Sequence, residues 1–193
     1  MASSRGLSIK KLRSLDLHKS FEKPGSQYEY YKLNGSPEDI LRYVKLQGKT
    51  FGEKYAEGIC QEYFNMNKKT DSSHDHIKLN KTIEQKSARY GKCGEEWKWQ
   101  HIEMNHNWDY LLVCGLEFNG FRFYIASRKI IEYLIIQGVI TGQGKKNNRG
   151  IAAPQEGYWF TKSNFVKQNL QFENYFTEIY NERNLITYIK NTI

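Results

Sequence analysis

Residues 108–126 read Trp-Asp-Tyr-Leu-Leu-Val-Cys-Gly-Leu-Glu-Phe, then Asn119-Gly120, then Phe-Arg-Phe-Tyr-Ile-Ala. Two runs of aliphatic and aromatic side chains flank a pair suited to a type I′ turn, which predicts an antiparallel hairpin over 108–118 and 121–126. Ser127 then caps a helix predicted over 128–137 and stopped by Gly138. Upstream, Trp97 to Ile102 reads as a strand, and Asp75 to Leu79 and Thr82 to Ala88 as two short strands joined around Asn80-Lys81. Phe51, Tyr55, Ile59, Tyr63 and Phe64 recur at helical spacing, predicting one helix over 50–66 with Glu53 and Glu57 a turn apart. Ser36-Pro37-Glu38-Asp39 starts another, with the proline at its first position, running to Gln47. After a Gly-, Lys- and Asn-rich loop over 138–155, a short strand at 158–160 and helical segments from about Asn164 and Tyr175 complete the chain. The order predicts an α/β or α+β fold, a central mixed or mainly antiparallel sheet flanked by helices.

The chain has 193 residues, 39% hydrophobic and 15% aromatic, enough for one ordinary domain with a core. We read 1–35 as a basic arm, with seven Lys or Arg against three acids and a short helix around 8–21, and 36–193 as a single domain. The formal net charge of +8 favours polyanionic partners. Mean hydropathy is −0.75 and the most apolar stretch, Ile130 to Ile140, contains Glu132, so no membrane span is expected. Charged residues follow the first five, which predicts no secretory signal. Three cysteines, Cys60, Cys93 and Cys114, form no CxxC pair and suggest a reducing, intracellular setting.

The chemistry concentrates in Thr82-Ile83-Glu84-Gln85-Lys86-Ser87-Ala88-Arg89. Strand periodicity puts Glu84 and Lys86 on one face, and a hairpin brings Asp75 beside Glu84. Two adjacent carboxylates invite a divalent cation or a raised pKa, and hard oxygen ligands suit Mg2+. Lys86 is suited to orient water or stabilise charge on a phosphodiester under attack. Glu57, or Glu53, reaches the same place from the helix. The plain alternative is a solvated cross-strand charge pattern with Asp75 as a turn residue.

The helix Phe51-Gly52-Glu53-Lys54-Tyr55-Ala56-Glu57, Asp75, and Glu84-Gln85-Lys86 followed by Ser87-Ala88-Arg89 together resemble the PD-(D/E)xK nuclease superfamily, especially its type II restriction endonucleases. The aromatic runs at 97–102 and 108–113 are similar to strands that follow the catalytic hairpin there. The resemblance covers roughly 50–137, and His74 stands where the motif name has proline. It implies a magnesium-dependent cut of double-stranded DNA, commonly by a homodimer, with Asp75 and Glu84 as metal ligands and Lys86 as the catalytic lysine. His74-Asp75-His76-Ile77, with Asn105, His101 and His106 downstream, also resembles the entry to HNH nucleases. A third reading is a basic nucleic-acid-binding protein without catalysis.

The segment 138–170 is the expected recognition region, because Lys145, Lys146, Asn147, Asn148, Arg149 and Lys162 offer phosphate and base-edge contacts. Ser87, Arg89 and Gln100 are expected to touch the DNA backbone near the cut. Arg122, Arg128 and Lys129 are weaker choices, and Tyr30, Tyr31 and Trp159 are expected in the core or at an interface.

Overall fold

The structure, a computed structural model, describes residues 22–68, 72–91, 94–143 and 157–192. Helices α1 (Gln27–Leu33) and α2 (Glu38–Val44) lead into a π-helix (Thr50–Ala56), which continues as α3 (Glu57–Phe64). Nine strands follow the first helices: β1 (Asn67–Lys68), β2 (His76–Lys78), β3 (Lys81–Arg89), β4 (Lys98–Ile102), β5 (Tyr110–Glu117), β6 (Gly120–Ser127), β7 (Thr141–Gly142), β8 (Tyr158–Thr161) and β9 (Thr177–Glu178). Helices α4 (Arg128–Ile136), α5 (Lys162–Lys167) and α6 (Glu182–Asn191) complete the set. The main sheet has six strands in the order β1-β2-β3-β5-β6-β9, and a three-stranded antiparallel sheet runs β4-β8-β7. The α+β expectation is met: β3 pairs β5 in parallel and every other pairing in the main sheet is antiparallel.

Strand β5 explains why the hairpin is legible in the sequence. Its alternate residues serve two cores. Tyr110, Leu112, Cys114 and Leu116 face helices α1–α3 and α6, while Leu111 and Val113 face the small sheet and α4. A strand covered on both faces must be apolar throughout. Gly115 breaks the run for a steric reason: a Cβ there would lie 2.6 Å from the Trp97 indole, which rests on it and donates from Nε1 to Leu116 O at 3.0 Å.

Several boundaries differ from expectation. Pro37 is extended (ψ 161°), so α2 starts one residue later, at Glu38. The first two turns of the helix expected over 50–66 are π-helical, a difference that an apolar pattern does not report. The expected arm does not end at 35 as a separate piece. Residues 1–21 lie outside the described residues, but α1 is packed in the domain, with Tyr31 fully buried and its hydroxyl donating to Leu116 O at 2.7 Å. The strand at 97–102 joins the small sheet and packs against β3 without pairing with it. In the 108–126 hairpin, Glu117 pairs with Gly120, so the loop residues are Phe118 and Asn119, and neither has the positive φ of a type I′ turn.

That turn occurs instead between β2 and β3. Lys78 pairs with Lys81, and the loop residues Leu79 and Asn80 have φ of 51° and 59°. A leucine is poorly suited to this left-handed geometry, which costs ordinary side chains about 1–2 kcal/mol, and Leu79 is half exposed and buries little. Leu79→Asn is therefore expected to stabilise the protein by about 0.5–1 kcal/mol, read as a higher urea midpoint with unchanged slope. An unchanged or lower midpoint would contradict the strained-turn account.

Candidate functional site

The site begins where β2 stops. Its three residues pair with Lys81–Ile83, and from Glu84 onward β3 is paired only on its β5 side. Asp75 sits one residue before β2, and continuing the register places it opposite Glu84. Its backbone N–H donates to Ile83 O at 3.0 Å, and its Oδ2 accepts from Gln85 N at 2.8 Å. The carboxylate thus replaces the missing strand at this edge and is fixed beside Glu84.

A cleft of about 660 Å³ opens over this edge. Asp75, Glu84, Lys86, Glu57, Ser87 and Gln100, all expected as site residues, line it together. The π-helix supplies one wall through Gly52 and Glu53, with Gly48 and Lys49 just before it and Glu57 at the start of α3. Its wider turn leaves the backbone N–H of Glu57 bonded to Gly52 O, five residues back. The facing wall comes from β4 and the segment after it: Lys98, Gln100, His101, Glu103 and His106. His101 adopts a left-handed φ of 58° at a register shift in β4, and its N–H donates to Gln143 Oε1 at 3.1 Å.

Glu84 is 4% exposed, and its Oε1 accepts from Lys86 Nζ at 2.5 Å. Burial pushes its carboxyl above the usual carboxylate range; the Lys86 ammonium opposes this, and the neighbouring Asp75 carboxylate adds to it. On the other face of β3, His76 and Gln85 share a buried hydrogen bond of 2.6 Å, and Gln85 Nε2 donates to Ser87 Oγ. This chain stiffens the strand under the cleft.

The cleft is acidic although the chain is basic. Five carboxylates line it (Glu53, Glu57, Asp75, Glu84, Glu103) against three lysines (Lys49, Lys86, Lys98). Among the described residues no three His, Cys, Asp or Glu side chains form a ready-made ligand cluster. Two adjacent carboxylates at an open cleft nonetheless fit Mg2+, which keeps several waters and takes only one or two protein carboxylates when a phosphate supplies the rest. The raised carboxyl of Glu84 beside Asp75 is the electrostatic situation a divalent cation relieves.

Other expected contacts lie elsewhere. Arg89 is turned into the protein: its guanidinium donates to Tyr43 O and Leu46 O at 3.1 and 2.5 Å and stacks 4.4 Å from the Phe51 ring. Burial pulls it down to about 10, which leaves it charged at neutral pH. Its expected role as a backbone contact is corrected accordingly, since a strand position cannot reveal that an arginine will find carbonyl partners inside. Lys162 pairs with Glu173 at 2.8 Å over the Phe172 ring, and Arg122 is held by Glu117 and Glu178. Lys145, Lys146, Asn147, Asn148 and Arg149 lie outside the described residues, as does Cys93. Cys60 and Cys114 are buried free thiols. Of the histidines in the HNH-like motif, His74 and His76 are buried and absent from the cleft lining, whereas His101 and His106 belong to it.

Sequence reading missed Lys49, Lys98 and Glu103 as site residues and named His106 only within the HNH-like pattern. Lys98 lies 4.4 Å from the Trp159 ring, and Glu103 Oε2 is 3.1 Å from His106 Nδ1. The sequence signal for Lys98 and Glu103 was the clustering of polar residues around 98–106, and Lys49 had none.

Comparison of this chain with protein-family models, curated proteins and solved structures finds no match. Function is therefore argued from the chemistry of the cleft. Among the described residues, no helix is long and apolar enough to cross a membrane.

Proposed function

We propose that the protein is a magnesium-dependent endodeoxyribonuclease that hydrolyses phosphodiester bonds of double-stranded DNA, of the PD-(D/E)xK type and acting as a homodimer. The observation that carries this reading is the convergence of Asp75, Glu84 and Lys86 at the unpaired edge of β3, with Glu57 on the adjoining wall. Mg2+ bound to this pair would supply charge neutralisation of the phosphate and acidification of water. Asp75 and Glu84 hold the ion, and Glu57 supports it from the helix side. Lys86, already pinned by Glu84, directs its ammonium to the attacking water and to the charge that grows on the phosphate. A cleft with more carboxylates than lysines repels a phosphodiester until a cation is present, which makes cutting dependent on the metal. The basic remainder of the chain supplies the grip on DNA, and a two-fold dimer supplies the second cut.

The direct Lys86–Glu84 contact also favours a competing reading, a basic nucleic-acid binder in which this pair is structural. Incubating the purified chain with supercoiled plasmid, with and without MgCl2, separates the two. Nicked or linear products that need Mg2+ and vanish in Glu84→Ala and Lys86→Ala are the expected result. Retarded plasmid that stays intact would select the binder and sink the nuclease reading.

A further inference from the structure

The nuclease reading uses one wall of the cleft, and the opposite wall carries a second set of titratable groups that it leaves without a role. His106 and Glu103 lie three residues apart across a turn in the segment between β4 and β5, with Glu103 Oε2 3.1 Å from His106 Nδ1 and His106 N donating to Glu103 O at 3.3 Å. Both residues line the cleft that holds Asp75, Glu84 and Lys86. The His106 side chain is 30% exposed, while its Nδ1 is buried 3.1 Å from the carboxylate without hydrogen-bonding geometry, which leaves Nε2 as the nitrogen available to the cleft. A carboxylate at ion-pair distance from one ring nitrogen favours this placement of the imidazole and leaves the other nitrogen for proton exchange. The backbone around the pair is also anchored: Arg128 donates to His106 O at 2.7 Å and to Met104 O, and Trp108 Nε1 donates to Glu103 O at 3.0 Å.

Resting on the nuclease reading, we propose that His106 is a further catalytic residue, the general acid that protonates the leaving oxygen, and that Glu103 is its positioning residue. Phosphodiester hydrolysis needs a proton at that oxygen, and His106 lines the same cleft as Lys86, on the wall facing the π-helix. As the water oxygen forms its bond to phosphorus, the bond from phosphorus to the leaving ester oxygen breaks and its electron pair takes the proton from Nε2 of the imidazolium. The attacking water releases its own proton to solvent, and the ring regains one from solvent. The field of His106 also reaches Glu84, where it opposes the upward pull of burial, so the two walls are electrostatically in touch.

The test uses the full chain with Mg2+. Plasmid cleavage first locates a cut linkage, and duplexes are then made with oxygen or a bridging sulfur as the leaving atom there. Thiolate departs without a proton, so an acid's contribution disappears on the sulfur substrate. His106→Gln is expected to cut the oxygen linkage about 100-fold more slowly, as expected for loss of a general acid, and the sulfur linkage at close to the wild-type rate. Glu103→Gln should show a smaller loss on oxygen with the same recovery on sulfur. Lys86→Ala should stay slow on both. Equal losses on both linkages in His106→Gln, or no loss on oxygen, would overturn the acid role while leaving the nuclease reading standing. A wild type that leaves plasmid intact would overturn both.

Discussion

Lys86→Met is expected to slow cleavage by at least about 100-fold and, at the same time, to make the protein's stability more dependent on pH. The first effect follows from removing the lysine hydrogen-bonded to the buried Glu84. The second follows from what it leaves behind. Burial already pushes the Glu84 carboxyl upward, Asp75 adds to this, and Lys86 restrains it both by charge and by hydrogen bond. Without the ammonium, Glu84 rises further and holds its proton in the fold at pH values where the unfolded chain has lost it. In that window the native state binds more protons than the unfolded state, so stability falls as pH rises. The window opens at the ordinary carboxylate range and extends upward to the raised pKa of Glu84, farther in the variant than in the wild type. Urea unfolding at a series of pH values reads it directly: the variant's midpoint should decline with pH more steeply than the wild type's. Parallel curves would mean that Lys86 does not govern the charge of Glu84, and cleavage at the wild-type rate would remove Lys86 from the mechanism.

Arg89→Met is expected to cost about 2–4 kcal/mol of stability, the largest loss we anticipate from a single side chain outside the hydrophobic clusters. Arg89 joins three elements. Its guanidinium satisfies Tyr43 O and Leu46 O at the end of α2 and covers Phe51 at the start of the π-helix, from a backbone position in β3. Methionine restores part of the volume but leaves Leu46 O without its side-chain donor and Tyr43 O with only the Leu46 N–H, and such groups cost more unmade than the bond contributes when made. Arg89→Lys should recover only part of the loss, because a single ammonium on a flexible stem does not match a planar fork held against two carbonyls and a ring. The same contacts hold 43–51 against β3, and Gly48 and Lys49 at the rim of the cleft belong to that stretch. A loss below about 0.5 kcal/mol would show that the carbonyls find water instead.

How far the sequence could be read depended on whether the deciding contacts were local. The near-continuous apolar run of β5 is dictated by burial on both faces, so the hairpin it forms with β6 was legible, as was the pairing that sets Asp75 beside Glu84, because a short hairpin has few registers. The turn was misassigned because Asn119-Gly120 is the stronger local signal, while Leu79-Asn80 is held in the left-handed region by its place between paired strands. The π-helix was not visible because its apolar spacing over seven residues is close to that of an α-helix. Glu103 and His106 reach the cleft only because β4 leaves the main sheet for a second one, a long-range choice with no local pattern. Arg89 failed as a DNA contact for the same reason: its partners lie more than 40 residues away in the chain.

Strand β2 ends after three residues, and that brevity is what leaves the edge of β3 open. Two more residues in each arm of the hairpin would carry main-chain pairing across Glu84 and Gln85 and give the Gln85 N–H a backbone acceptor in place of the Asp75 carboxylate. The site is thus written in chain length as much as in side chains. Amino-acid replacement scans leave that variable untouched; insertions and deletions in the loops on either side of β2 are the changes that would open or close the cleft with every site residue still present.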